Sequence, residues 1–179
     1  KLREGAAKLN YGNDVQVPQY TFYPETIAAS GDGAEGTEPV EGVSGEPAEK
    51  VEIKFLLDSY VVDYQYDGSS NTYKRSVNGS PHVDLNDNVQ LEAANVIVLG
   101  ADHKVLDDVG RLAVNVEAGG EAMLFQRGEV ITGQWARAAG DAIRFVKDGK
   151  EVPLVPGTTY FNIVPNAPSF ESHVTISNP

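Results

Sequence analysis

The chain has 179 residues, with 26 acidic against 14 basic side chains, a formal charge of -12 and no cysteine. That charge repels phosphate backbones, and nucleic-acid affinity rests on Lys and Arg displacing counterions, so nucleic acid is disfavoured as a partner. The lack of cysteine removes disulfides, thiolate zinc sites and cysteine nucleophiles, and no apolar run approaches the ~20 residues that a bilayer helix requires.

Lys1 opens the chain without an apolar signal segment, which reads as a mature or trimmed piece. Leu2, Ala6 and Leu9 recur at helical spacing and predict a short N-terminal helix over Lys1–Asn10. Residues 17–26, VPQYTFYPET, carry two prolines that bar a central strand and permit an extended edge segment. Residues 1–27 are thus expected to be the tail of a preceding domain or an edge segment.

Composition changes abruptly over residues 28–50, where Gly, Glu, Ala, Pro and Ser dominate and no aromatic residue occurs. Such a segment cannot bury enough apolar surface to offset its ordering entropy, so it is expected to be a flexible linker or inserted loop. Its acidic residues, Asp32, Glu35, Glu38, Glu41, Glu46 and Glu49, place part of the net charge on that tether.

Residues 51–179 read as a β domain. Val51, Ile53, Phe55 and Leu57 alternate with Glu52 and Lys54, and Val62, Tyr64 and Tyr66 with Asp63 and Gln65. Asp67-Gly68 is expected to turn this strand into one carrying Tyr73, Arg75 and Val77. Asn95–Leu99, NVIVL, is a continuous apolar run that suits a central strand covered on both faces. Further hairpins are marked by Arg127-Gly128 and Asp148-Gly149, and Tyr160–Val164 forms a late strand. About ten short strands at this spacing predict a mainly β fold, an antiparallel sandwich or a partly open barrel.

The densest chemistry lies in Asn71–Asp84, NTYKRSVNGSPHVD, where Tyr73, Arg75, His82 and Asp84 surround an Asn-Gly turn. Tyr73 and Arg75 share a strand face, which suits either surface recognition or cross-strand packing. Trp135 and Arg137 align similarly and suit sugar or peptide stacking, against a core Trp135 with Arg137 capping its edge. These residues and His103 are the candidate ligand contacts. Asp84, Asn86 and Asn88 place oxygens at alternate positions like the start of a calcium loop. Val89 stands where that loop needs Gly and Asn95 where it needs Glu, so an Asx-rich turn competes with a weak calcium site. No metal or other cofactor is expected, since three histidines without H-E-x-x-H spacing leave a zinc shell incomplete. G-x-S-x-G, the phosphate-loop motif and G-x-G-x-x-G are absent, and no catalytic residue is assigned.

The segments YDGSSNTYKRSVNGSPHVD, ANVIVLGADHKVLDDVGRLAVNV, AMLFQRGEVITGQW and VPLVPGTTYFNIVP, in this order, resemble the carboxy-terminal part of the YerB-like family. Tyr66-Asp67, Tyr73, Arg75, Gly79, Pro81-His82 and Asp84 match its first motif. Asn95-Val96-Ile97, His103, Asp107-Asp108 and Gly110-Arg111 match the second, and Gly128, Gly133, Trp135 and Val164-Pro165 the later ones. The resemblance implies a surface lipoprotein, mainly of Gram-positive bacteria, whose lipid anchor lies upstream of Lys1. It supplies no catalytic residue. The expectation is a non-catalytic extracellular binding or structural module that contacts a cell-wall polymer or a surface protein. The alternative is a cell-wall-acting hydrolase whose site an upstream domain completes.

Overall fold

The computed structural model describes residues 18–24, 45–57 and 59–178. The expected helix over Lys1–Asn10 and the acidic stretch up to residue 44 lie outside these. The strands are β1 (Glu46–Pro47), β2 (Lys50–Lys54), β3 (Val61–Asp67), β4 (Thr72–Val77), β5 (Ser80–Pro81), β6 (Glu92–Ala93), β7 (Asn95–Ala101) and β8 (His103–Val105). They continue with β9 (Leu112–Val114), β10 (Gly120–Gln126), β11 (Glu129–Ala136), β12 (Arg144–Lys147), β13 (Lys150–Glu151), β14 (Thr159–Pro165) and β15 (Val174–Ser177). A 3-10 turn, Phe170–His173, precedes the last strand.

Two sheets carry the fold, which is mainly β as the alternation predicts. A seven-stranded sheet runs β13-β12-β11-β10-β7-β14 with β1 added to β11, and a six-stranded sheet runs β15-β2-β3-β4-β5 with β6 added to β4. The two-residue period explains their stacking: Val51, Ile53, Val62, Tyr64 and Tyr73 face Val96, Val98, Phe125, Val130 and Val164 in one core. Alternate residues of β2 and β3 point away from that core.

The seven-stranded sheet also buries its other face. Ile97, Leu99, Leu124, Ile131, Trp135 and Phe145 form a second cluster there, roofed by Val152 and Leu154 of the β13–β14 connection. All seven residues of β7 are therefore buried, which is why Val96–Leu99 form an unbroken apolar run.

One pairing departs from the antiparallel expectation. β14 lies parallel to β7, with Thr159 opposite Asn95 and Pro165 opposite Ala101. A parallel neighbour needs a crossover, and the buried Asn95 fixes its end. Its amide donates to Val155 O at 2.8 Å and Thr159 Oγ1 at 3.0 Å, while its Oδ1 accepts from Val155 N at 2.9 Å. Residues 18–24 lie along the same connection, with Tyr23 N donating to Leu154 O at 3.0 Å. Arg144 ties them down by donating to Gln19 O at 2.8 Å while pairing with Asp141 and Glu151.

Two details of the sequence reading change. Residues 45–50, read as the end of a linker, belong to the β domain: β1 pairs with β11, and Ala48 is fully buried, its N donating to Gly128 O at 2.8 Å. The β3–β4 connection takes its left-handed residue at Asn71 (φ 54°), with Asp67 accepting from Ser69 N and Oγ at its start. Hydrogen bonds from Lys74 and Ser69 hold the Asp67 carboxyl below its usual range.

Candidate functional site

The outer neighbour of β4 is broken in two. β5 pairs with Ser76 and Val77, β6 pairs with Tyr73 and Lys74, and the chain between them leaves the sheet as an excursion. Arg75 stands opposite the break. Its N donates to Leu91 O at 2.8 Å, its O accepts from His82 N at 3.0 Å, and Gln90 Nε2 donates to the same oxygen at 2.8 Å.

The excursion folds on its own polar side chains. Asn86 donates to Asp84 Oδ1 from its backbone N at 2.8 Å and from its side chain at 2.7 Å, and Val89 N donates to Asp87 Oδ1 at 2.9 Å. Asn88 takes the left-handed conformation, φ 59°. Asp84, Asn86 and Asn88 thus form an Asx-rich turn, with the Asp84 carboxylate directed at Asn86. Among the described residues, no three His, Asp or Glu side chains are grouped to hold a metal ion.

The Arg75 side chain occupies an aromatic corner and is only 8% exposed. Nε donates to Tyr64 Oη at 3.3 Å, Nη2 to Tyr60 Oη at 3.4 Å and Nη1 to His82 Nδ1. The guanidinium carbon lies 5.7 Å from the Tyr160 ring centre and 6.0 Å from that of Tyr64, within cation–π range. Tyr64 Oη donates in turn to Asn162 Oδ1 at 3.4 Å.

Ion pairs join Lys50, Lys54, Lys74, Arg111 and Arg144, among others, to carboxylates, and among the described residues none of these pairs includes Arg75. Its charge is stabilised by hydroxyls, an imidazole and ring faces instead. Burial acts to lower the Arg75 pKa, but the hydroxyls of Tyr60 and Tyr64 outweigh it and leave the pKa raised. Burial raises the Tyr64 hydroxyl, and its bonds to Asn162 and Arg75 oppose that only in part. Because a guanidinium has only donors, His82 Nδ1 accepts and its Nε2 carries the hydrogen. His82 itself is exposed.

The other sequence candidates are not part of this corner. Tyr73 is 0% exposed, its hydroxyl donating to Ala48 O at 3.1 Å; it holds the sheets together and reaches no surface ligand. Trp135 is 1% exposed and donates to Gly100 O at 2.7 Å, so it belongs to the second core cluster. Arg137 is exposed and donates to Asp141 O at 2.9 Å. His103 lies on β8 of the separate two-stranded sheet, Nδ1 2.9 Å from Ala101 O. Burial overrides surface recognition for Tyr73 and Trp135 because both side chains point along the inward period of their strands.

Three residues of the corner went unrecognised in the sequence. Tyr64 was legible in principle, since it directly opposes Arg75 in the β3–β4 register. Tyr60 and Tyr160 carry no local signal. Tyr60 sits in the β2–β3 loop, 42% exposed, with its ring 5.5 Å from that of Phe55, and Tyr160 arrives from the other sheet.

The C-terminal domain family described as a protein of unknown function (DUF3048) matches residues 51–161. The Bacillus subtilis (strain 168) protein named "Putative lipoprotein YerB" is 38% identical over 106 residues, covering 59% of this chain and 32% of that protein. The crystal structure of YerB from Bacillus subtilis superposes with a TM-score of 0.72 at 27% identity, covering 99% of this chain and 53% of the solved one. The chain thus spans about a third of that protein's length and about half of the solved chain. The resemblance drawn from the motifs is borne out, and the chain belongs to the DUF3048 family, of which it carries the C-terminal domain.

Proposed function

We propose that this chain is a non-catalytic, extracellular binding module of a lipid-anchored surface protein, and that it contacts a cell-wall polymer or another surface protein. The observation that carries this reading is the corner at the β5–β6 break, where the exposed His82 and Tyr60 flank a buried cation. Its structure is maintained by backbone pairing on both sides of Arg75, so the donors are held in place before any ligand arrives. The kinship with a protein named a lipoprotein supports anchoring at a surface.

Against the hydrolase alternative stand the partners of each histidine. His82 faces a guanidinium, His103 a backbone carbonyl, and His173 the carbonyls of Lys54 and Ala167 at 2.9 and 2.8 Å. Among the described residues, no carboxylate, hydroxyl or second imidazole is hydrogen-bonded to any of the three, so no nucleophile–base or acid–base pair is assembled around them.

Co-sedimentation with purified cell walls, and pull-down of extracted surface proteins, test the reading. The chain is expected to be retained by one of the two, and H82A and Y60F to lose at least tenfold in affinity with an unchanged melting temperature. No retention in either assay would overturn it.

A further inference from the structure

We propose that the β5–β6 corner is an oxyanion site, in which Arg75, His82 and Tyr60 together take a carboxylate or phosphate group of the ligand. The inference rests on the binding-module reading and names the chemistry of its contact.

A buried cation ordinarily has an anionic partner, because desolvating it is costly. Among the described residues, Arg75 has none. Of the five N–H groups of a guanidinium, three are engaged, by Tyr64, Tyr60 and His82. The two that remain belong to Nη1 and Nη2, the fork that suits carboxylate and phosphate oxygens.

The two flanking side chains have the same polarity. Tyr60 Oη accepts from Arg75, so its own O–H is left to donate, and His82 Nδ1 accepts, so Nε2–H is left to donate. Arg75 therefore sets the orientation of both neighbours, and each of the three side chains keeps at least one donor for a ligand. The unpaired positive charge of Arg75 beside these donors favours an anionic over a neutral acceptor, since charge-assisted hydrogen bonds are the stronger ones.

The surroundings refine the ligand. Leu56 and Leu57, 51% and 68% exposed, stand in the same loop as Tyr60. The net charge of -12 opposes an anion at long range, so binding depends on the short-range donors and not on steering.

The test is a titration of the full chain with acetate and, separately, with inorganic phosphate at constant ionic strength, read by nitrogen-15 NMR. The expected result is saturable shifts of the Arg75 Nε–H and His82 ring signals. The two anions distinguish the source: a stronger response to acetate assigns a carboxylate ligand, a stronger one to phosphate a phosphate ester. H82F and Y60F, both at exposed positions, are each expected to weaken the response at least fivefold, and R75K at least tenfold. Low salt is expected to give no gain in affinity.

Shifts confined to surface lysines, or an unchanged response in H82F and Y60F, would overturn the site. Retention by cell walls or a surface protein that is lost in H82F and Y60F, with no saturable response to either anion, would overturn the oxyanion assignment and leave the module reading intact. A specific anion response without retention by either material would do the reverse.

Discussion

The indole N–H of Trp135 on β11 donates to the carbonyl of Gly100 on β7 at 2.7 Å, although strand β10 lies between them. The bond passes over Gly120, where an added Cβ would stand 2.8 Å from both Gly100 O and Trp135 Nε1. A side chain on the intervening strand would close that path. The bond ties three strands at the end of the sheet from which the β8–β9 hairpin departs.

Replacing Trp135 by Phe keeps an aromatic ring but removes the donor and leaves space. The cost combines an unmade buried hydrogen bond with a small cavity, together about 2–4 kcal/mol. Urea unfolding at 25 °C checks it; a loss below about 1 kcal/mol would show that the Gly100 carbonyl finds another partner.

Two hairpin glycines separate backbone strain from steric clash. Gly149 and Gly128 share a left-handed backbone, φ 76° and 75°, but a Cβ at Gly149 meets nothing within 4 Å while one at Gly128 meets the Tyr66 ring at 2.8 Å. G149A is expected to cost about 1 kcal/mol, the penalty of that conformation for an L-residue. G128A adds the displacement of Tyr66, whose ring lies 5.1 Å from that of Tyr73, and is expected to cost at least about 2 kcal/mol. Thermal melts of both variants check the order.

Alkaline pH is expected to destabilise the fold through its buried tyrosines. Burial, chiefly, raises the hydroxyls of Tyr73 and Tyr64 above the ordinary value of 10.0. A folded-state pKa above the unfolded one means that the native state holds the proton more tightly. The associated stability is complete below pH 10 and falls as pH rises toward the folded-state values, by about 1.4 kcal/mol per pH unit for each tyrosine still protonated. Melting temperatures from pH 8 to 11.5 should fall beyond pH 10, and less steeply in Y73F. Equal slopes in the two proteins would show that Tyr73 does not contribute.

Legibility followed the range of the interaction. The alternation of Val51 and Ile53, or of Val62 and Tyr64, marks inward faces because side chains of a strand alternate whatever the partner. Asn78-Gly79 and Asp148-Gly149 mark turns because successive left-handed residues are needed there, and both pairs adopt them. Composition misplaced the boundary at residues 45–50, since a Gly/Glu/Pro stretch can still add a strand when a neighbouring edge offers hydrogen bonds.

The candidate site was half legible. Arg75 and His82 stand seven residues apart around a turn that the sequence displays, so their proximity could be read locally. Whether a neighbouring side chain is core or surface depends on what stacks above it, which is why Tyr73 and Trp135 looked available and are buried.

The sequence by itself determined the β character, the main hairpins, the family and the residues of the densest motif, all consequences of local backbone preference and short spacing. Only the tertiary structure decided that β14 lies parallel to β7, that Asn95 fixes the crossover, and that Tyr60, Tyr64 and Tyr160 gather around Arg75. Those contacts join distant parts of the chain, and their energy exists only once two sheets have stacked and excluded water from between them.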